Sequence, residues 1–192
     1  MTSPFDARPT IVAIAGPNGA GKSTFFHAHL ALAALRFVNA DELARELELD
    51  ASDAAALANR LRQSLLEQRE SFIFETVLSD PVGDKVEFLS RAAAQGYTVV
   101  MCFIGIADPG LSEERVAMRV LQGGHDVPAD KLSSRFPRTM QNLARAIQRL
   151  PHVLVFDNSD LENPFRQVAE FRDGTAVSVN EPIPSWLQLA KK

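Results

Sequence analysis

Apolar residues in this chain occur in short continuous runs and, between the runs, at intervals of three or four positions. A continuous run is typical of a strand that is buried on both faces of a parallel sheet. Such runs predict strands over residues 11–15, 36–39, 71–74, 97–106 and 152–156. The helical intervals predict helices over residues 23–32, 42–49, 52–70, 80–96, 108–122 and 129–150.

Two of these helices show the pattern in detail. The helix over 52–70 is predicted to have a core-facing stripe of Ala54, Ala58, Leu61 and Leu65. The helix over 80–96 is predicted to begin with Asp80 as its side-chain cap and Pro81 at the first helical position. Its core-facing side would then consist of Val82, Val86, Leu89 and Ala93.

Strands that alternate with helices five times predict an α/β fold with a mostly parallel five-stranded sheet and helices on both faces. Asp173-Gly174 separates two further strand-like runs and predicts a C-terminal β-hairpin over 168–179. A length of 192 residues is typical of one domain with a sizeable core, so we expect a single domain over residues 1–192.

The first predicted strand is followed by a complete glycine-rich phosphate-binding motif. Strand, loop and helix in this order are the context in which G-x-x-x-x-G-K-[ST] binds a nucleoside triphosphate. Lys22 would reach the β- and γ-phosphates, and the Ser23 hydroxyl would ligate Mg²⁺. The nucleotide-binding residues are predicted to be Gly16, Pro17, Asn18, Gly19, Ala20, Gly21, Lys22, Ser23 and Thr24. The fold class is therefore a P-loop NTPase, an αβα sandwich of three layers.

Composition and charge narrow the classes of partner. A formal net charge of −4 does not favour a nucleic-acid-binding protein. The single cysteine, Cys102, lies within an apolar run, which favours a reducing compartment. No apolar run reaches transmembrane length, and residues 1–9 lack the apolar core of a signal peptide. We therefore expect a cytoplasmic protein that binds neither nucleic acid nor membranes.

Polar residues stand where the second and third predicted strands end. Ligands of open α/β sheets bind at the carboxyl ends of the strands, so these residues should converge with the P-loop on one cleft. They are Asn39, Asp41, Glu75 and Thr76. Asp41 would orient or deprotonate an acceptor hydroxyl; the alternative is that it simply caps the next helix. Glu75 would contact the substrate or a Mg²⁺-bound water, unless it is only exposed to solvent.

Arginines on two successive helices predict a helical lid over about residues 109–140. Arg115 and Arg119 share one helical face, and Arg135 follows beyond a Gly123-Gly124 break. A lid that hinges at the glycines would bring guanidinium groups onto the transferring phosphoryl group and exclude water. The alternative is that both cationic faces are simply solvated.

Four segments together resemble the zeta toxin family. They are Gly16–Thr24, Val38–Asp41, Phe72–Thr76 and the predicted lid with its Gly-Gly-His-Asp-Val-Pro sequence at 123–128. The resemblance implies a small P-loop kinase that uses ATP and Mg²⁺, phosphorylates a UDP-amino sugar such as UDP-N-acetylglucosamine, and has an antitoxin as a possible partner. It also implies that Asp41 is the catalytic base, that Glu75 and Thr76 contact the substrate, and that lid arginines clamp the γ-phosphate.

Two other functions fit the same residues. The larger toxins have a basic residue and a His/Tyr-Pro element shortly after the catalytic aspartate, whereas residues 42–47 here read Glu-Leu-Ala-Arg-Glu-Leu. A metabolic or antibiotic-modifying kinase with another small acceptor is therefore one alternative. The other is a nucleotide-dependent switch or ATPase that binds a protein partner and transfers no phosphate to a small molecule.

Overall fold

The computed structural model describes residues 4–5, 7–121 and 127–189. Its strands are β1 (Thr10–Ala15), β2 (Arg36–Val38), β3 (Phe72–Thr76), β4 (Thr98–Gly105), β5 (His152–Asp157), β6 (Arg166–Arg172) and β7 (Thr175–Val179). Its helices are α1 (Lys22–Phe25), α2 (Ala40–Glu46), α3 (Ala51–Glu67), α4 (Asp84–Ala94), α5 (Pro109–Leu121), α6 (Ala129–Arg149) and α7 (Ser185–Leu189). A π-helical turn over Phe26–Leu30 and a 3₁₀ turn over Ala31–Ala33 continue α1.

All the described strands belong to one mixed sheet with the order β2-β3-β1-β4-β5-β6-β7. The first five pair in parallel, as predicted, and β1 lies between β3 and β4. The sheet has seven strands rather than five because the predicted C-terminal hairpin pairs antiparallel with β5 through β6. The carboxyl ends of β1 to β5 therefore share one edge, where the P-loop begins.

The two faces of the sheet are covered by different helices, which gives the three layers. On one face, the Phe74 ring contacts Arg62 of α3 and Phe88 of α4. On the other face, Phe156 of β5 contacts Phe25 of α1. Every residue of β1 is buried between these layers, as its continuous apolar sequence predicts. None of the helices in the described ranges has both the length and the apolar character needed to cross a lipid bilayer.

Helix α4 begins at Asp84, four residues after the predicted start at Asp80. Gly83 is the N-cap with φ = 86°, a left-handed conformation that ends the preceding turn and that glycine adopts without strain. Asp80 still stabilises the start of the helix, since its carboxylate accepts a hydrogen bond from the backbone amide of Asp84. Val82 lies before the helix and is 73% exposed, so its predicted place in the core was wrong.

The buried stripe of α3 differs from the predicted one at a single position. Ala54, Ala58 and Leu65 are buried as expected, but Leu61 is 37% exposed. Arg62 takes the buried position instead, at 6% exposure. Position 61 and position 62 are both compatible with the helical face formed by Ala58 and Leu65. The sequence pattern therefore favours Leu61 only because leucine is the more hydrophobic residue.

Candidate active site

The P-loop connects the end of β1 to the start of α1 and requires glycine at two of its positions. A Cβ atom at Gly16 would lie 2.1 Å from the backbone oxygen of Ile104, so no larger residue fits beside β4. Gly21 is the N-cap of α1 with φ = 86°. The loop therefore turns tightly against the sheet and presents the helix N-terminus, which together form an anion-binding cradle.

Lys22 is buried at the start of α1, and its ammonium group folds back over the loop. Its Nζ donates a hydrogen bond to Pro17 O over 3.0 Å and lies 3.7 Å from Glu75 Oε1. Burial lowers the pKa of Lys22, Glu75 and Asp41 oppose this shift, and Arg119 lowers the pKa further. The ammonium is thus held among charged neighbours at the place where phosphates would bind.

Glu75, at the end of β3, joins the P-loop to the end of β2. Its Oε2 accepts hydrogen bonds from Ser23 Oγ over 2.8 Å and from Asn39 Nδ2 over 3.1 Å. Glu75 therefore connects a P-loop residue to the end of β2, as the predicted convergence on one cleft requires. Glu75 is not merely exposed, because its side chain is only 11% accessible.

Asn39, rather than Asp41, caps helix α2. The helix begins at Ala40, and Asn39 Oδ1 accepts hydrogen bonds from the backbone amides of Asp41 over 2.8 Å and Glu42 over 3.4 Å. Asp41 lies in the first turn of the helix with an exposed side chain. The alternative interpretation of Asp41 as the cap is therefore wrong, and its carboxylate is available for another role.

Two cavities meet at the residues Asn39 to Asp41. The larger, of about 590 Å³, is also lined by Ser23, His27 and Arg119. The smaller, of about 180 Å³, is also lined by Glu75, Thr76, Asn59, Arg62 and Lys85. Asp41 thus stands between a cavity that contains the P-loop serine and one with no P-loop residue in its lining. Such an arrangement would allow a nucleotide and an acceptor to meet at Asp41.

The three predicted lid arginines are in different environments. The Arg115 guanidinium donates hydrogen bonds to the backbone oxygens of Asn158 over 2.8 Å and Ser159 over 3.3 Å, with that of Gly19 at 3.5 Å. Burial lowers the pKa of Arg115, and Asp157 opposes this shift. Arg115 therefore connects the P-loop to the end of β5 in this structure.

Arg119 and Arg135 face separate cavities. Arg119 lines the larger cavity described above, whereas Arg135 lines a third one of about 350 Å³ together with Arg138 and Thr76. The predicted hinge at Gly123-Gly124 lies outside the described residues. Of the three arginines, Arg119 is the one that shares a cavity with both Ser23 and Asp41.

Two residues that were not among the predicted site residues hold the P-loop in place. Ser112 Oγ donates a hydrogen bond to Asn18 O over 2.7 Å, and Asn158 Nδ2 donates one to Ala20 O over 2.9 Å. Asn158 directly follows β5, so the strand-end rule that selected Asn39 and Glu75 also points to it. No signal in the sequence distinguishes Ser112 from other helical serines.

Among the residues that the structure describes, no group of three or more His, Cys, Asp or Glu side chains is arranged to hold a metal ion. The Ser23–Glu75 pair nevertheless fits Mg²⁺. This ion is commonly held by one or two protein oxygens together with substrate phosphates and water, rather than by a cage of protein ligands.

Residues 38–167 match the family model described as zeta toxin. The chain belongs to the zeta toxin family. This match covers more than half of the sequence and confirms the resemblance seen in its motifs. No curated protein matches the sequence.

Several solved structures share the fold of this zeta toxin family member. A structure of the AvrRxo1-ORF1:AvrRxo1-ORF2 complex with ATP has a TM-score of 0.68 at 21% identity, over 91% of this chain and 61% of the other. A putative kinase from Chloroflexus aurantiacus j-10-fl has a TM-score of 0.58 at 18% identity, over 81% and 91% of the two chains.

The PezAT toxin–antitoxin system of Streptococcus pneumoniae also matches. Its TM-score is 0.57 at 15% identity, over 98% of this chain and 78% of the other. At these identities the likeness shows the fold alone. This chain spans 61% of the length of the AvrRxo1 chain that it matches.

Proposed function

We propose that this protein is an ATP-dependent kinase that transfers the γ-phosphoryl group of ATP to a hydroxyl of a small molecule. One observation carries the proposal: Asp41 shares a cavity with the P-loop Ser23 on one side and a second cavity with Glu75 and Thr76 on the other. The family and the structure of AvrRxo1-ORF1:AvrRxo1-ORF2 with ATP support a triphosphate at the P-loop.

The nucleotide half of the site consists of residues 16–24. Backbone amides of the loop and the N-terminus of α1 would bind the phosphates, and Lys22 would leave Pro17 to neutralise their charge. Ser23 and Glu75 would hold Mg²⁺, which when bound neutralises charge on the β- and γ-phosphates. Asn158 and Ser112 keep the loop in its conformation from the outside.

The acceptor half is organised by Asp41. Its carboxylate would orient the acceptor hydroxyl and take its proton as the oxygen attacks the γ-phosphorus. The bond from that phosphorus to the β–γ bridging oxygen breaks, and ADP leaves. Asn39 fixes the helix that bears Asp41, while Glu75 and Thr76 line the acceptor cavity.

The lid would complete the site when it closes. We propose that residues 109–140 act as this lid within one kinase domain, and that Arg119 is its clamp on the γ-phosphate. Arg119 shares the larger cavity with Ser23, and its charge acts on Lys22. Arg135 would approach from the acceptor side, where it lines a cavity with Thr76.

A UDP-amino sugar such as UDP-N-acetylglucosamine is the first acceptor to test, because the chain is a zeta toxin family member. An antitoxin is the protein partner to test, since PezAT is a toxin–antitoxin system and AvrRxo1-ORF1 was solved in a complex. One observation favours a smaller acceptor instead. The cavity beside Asp41 has a volume of only about 180 Å³, which is below the usual range for drug-sized ligands.

Labelled ATP tests the proposal directly. The protein is incubated with Mg²⁺ and a panel of UDP-sugars, and then with a metabolite extract, and the labelled products are identified. MgATP should also stabilise the fold, by about 2.7 kcal/mol at a hundredfold excess over its dissociation constant. Lys22→Ala should abolish both effects, whereas Arg60→Ala, which removes an exposed charge on α3, should abolish neither.

The outcomes separate the remaining functions. Transfer to a UDP-sugar supports the first acceptor, and transfer to another metabolite supports a different small-molecule kinase. Binding of MgATP with hydrolysis but no transfer would indicate a nucleotide-dependent switch. Absence of any Mg²⁺-dependent stabilisation by a nucleoside triphosphate would contradict the proposal.

A further inference from the structure

Arg62 is a buried cation without an acidic partner in the described part of the chain. It is 6% exposed on α3, and no carboxylate oxygen among the described residues lies within 4 Å of its nitrogens. Its guanidinium carbon lies 4.9 Å from the centre of the Phe74 ring, and its Nη2 donates a hydrogen bond to Asn59 Oδ1. Neither contact neutralises the charge.

Such a group is costly for the folded protein. Buried charges are normally paired, because moving an ion out of water without a counter-ion is strongly unfavourable. Burial lowers the pKa of Arg62 to about 10, consistent with this cost. A hydrophobic residue of similar length would fill the same position on α3 without the cost, so the charge requires an explanation.

Lys85 places a second cation beside Arg62. It lies in the first turn of α4 and is half-buried. Burial and the charge of Arg62 lower its pKa, while Asp80 and Asp84 oppose that shift. Neither of these acids lies within 4 Å of its ammonium group in the described structure. The two like charges therefore repel each other, since the charge of Arg62 lowers the pKa of Lys85.

Both cations line the cavity of about 180 Å³ that also contains Asp41 and Glu75. They also line an adjoining cavity of about 350 Å³ together with Asn59. The acceptor site thus has negative charge where it meets the P-loop. Where it continues between α3 and α4, the cations Arg62, Lys85 and Arg91 outnumber the acids Asp84 and Glu87. A ligand with one hydroxyl and one anionic group would be oriented by this polarity.

We propose that Arg62 and Lys85 form the binding site for an anionic group of the acceptor, a phosphate or a carboxylate, so that the acceptor hydroxyl lies at Asp41. The inference rests on the proposed function in one respect, namely that the bound anion is part of the acceptor substrate. The guanidinium fork suits either anion, since it can donate two parallel hydrogen bonds to a pair of oxygens. Acceptors that lack an anionic group are expected to be poor substrates.

Inorganic phosphate and acetate serve as probes in an NMR titration, one for each kind of anion. The titration uses Lys22→Ala protein, in which the P-loop has lost its cation, and follows the amide signals of α3 and α4, so that any anion bound at the P-loop is observed separately. Arg62→Met, which keeps an apolar stem over Phe74, should weaken binding of the preferred anion about tenfold to a hundredfold. Arg60→Met is the matched control, because Arg60 is an exposed arginine on the same helix and its loss should leave binding unchanged.

The result with each probe is decisive. Weakened binding of phosphate alone supports a phosphorylated acceptor, and weakened binding of acetate alone supports a carboxylated one. Equal binding of both anions by Arg62→Met and Arg60→Met would overturn the proposal. Because the titration observes α3 and α4 rather than the P-loop, it can succeed even if MgATP fails to bind, which separates this inference from the proposed function.

Stability distinguishes a binding role from a structural one. If the charge is present for a ligand, Arg62→Met without ligand should be at least as stable as the unmodified protein. In the Lys22→Ala background, phosphate or acetate should stabilise the protein that retains Arg62 more than the Arg62→Met protein. A less stable Arg62→Met protein that still binds the anion normally would show that the charge is structural. Should that variant fail to fold, Arg62→Lys keeps the charge without the fork and should still weaken anion binding.

Discussion

Ser23 donates its hydroxyl hydrogen to Glu75 across 2.8 Å, which connects the first turn of α1 to the end of β3. The same carboxylate lies 3.7 Å from the Lys22 ammonium and accepts a hydrogen bond from Asn39. Glu75 therefore contacts the two P-loop residues expected to handle Mg²⁺ and phosphate, and also the cap of the helix that carries Asp41. Its charge should affect both halves of the site.

Glu75→Gln should weaken Mg²⁺-dependent ATP binding. The amide keeps the shape of the side chain but loses its charge, and loss of such a supporting group typically costs about 10- to 100-fold in metal affinity. The Lys22 pKa, already lowered by burial, should fall further because Glu75 opposes that shift. The ammonium would then lose its proton at a lower pH than in the unmodified protein. As the pH is raised, the ATP affinity of Glu75→Gln should therefore begin to fall earlier than that of the unmodified protein.

The measurement is a titration of ATP with increasing Mg²⁺, repeated from neutral to alkaline pH. Glu67→Gln is the control, because Glu67 is exposed near the end of α3. If Glu75→Gln and Glu67→Gln show the same Mg²⁺ requirement and the same pH profile, Glu75 has no part in the nucleotide site.

Replacement of Arg115 and of Arg119 by methionine should impair different properties of the protein. Arg115→Met removes hydrogen bonds to the backbone oxygens of Asn158 and Ser159, which should cost about 1–3 kcal/mol of stability and weaken ATP binding. Arg119→Met should lower turnover by up to about 10³-fold, by analogy with arginine fingers, while ATP still binds. Unfolding, ATP titration and turnover are measured on both proteins, and identical defects would contradict this division of roles.

The central fold could be predicted because its signals are local. Strand β4 is apolar at nearly every position, and its run Val99–Ile104 is buried at no more than 1% exposure, as a strand covered on both faces must be. The contact between Ser23, Asn39 and Glu75 was also predictable, since parallel strands bring their carboxyl ends to one edge. No long-range information was needed for either inference.

Features that depend on tertiary contacts were not predictable. An arginine on a helix is usually exposed to solvent, so the sequence predicts a buried Leu61 rather than a buried Arg62, whereas Leu61 is 37% exposed. Arg62 is buried because its guanidinium packs against the ring of Phe74, a contact between residues that are distant in the sequence. The start of α4 depends similarly on a left-handed Gly83 that the Asp80-Pro81 signal does not reveal.

Gly105→Ala should destabilise the fold at the end of β4. A Cβ atom there would lie 2.3 Å from the Trp186 ring, which is buried against β4 as the C-terminal segment packs down. Overpacking of this kind typically costs about 1–3 kcal/mol. Urea unfolding followed by the fluorescence of Trp186, the only tryptophan of the chain, measures the loss. An unchanged midpoint would mean that the tail moves away at little cost.

Asp41→Asn should stop phosphoryl transfer while the nucleotide still binds. The substitution removes the charge and the proton acceptor that the proposed mechanism assigns to Asp41, and general-base catalysis typically supplies about 10²- to 10⁴-fold. Stability should change little, because Asn39 supplies the cap of α2 and Asp41 contributes only a favourable charge near the helix N-terminus, worth about 0.3–1 kcal/mol.

Two further variants make this result interpretable. Asp53→Asn removes an acid from the first turn of α3, so it should reproduce the small loss of stability without the loss of turnover. Asn39→Ala removes the cap itself, which should cost about 1 kcal/mol, and it also breaks the contact with Glu75. Turnover should therefore fall together with stability in Asn39→Ala, whereas in Asp41→Asn it should fall alone. An Asp41→Asn protein that transfers phosphate at an undiminished rate would require a different base for the reaction.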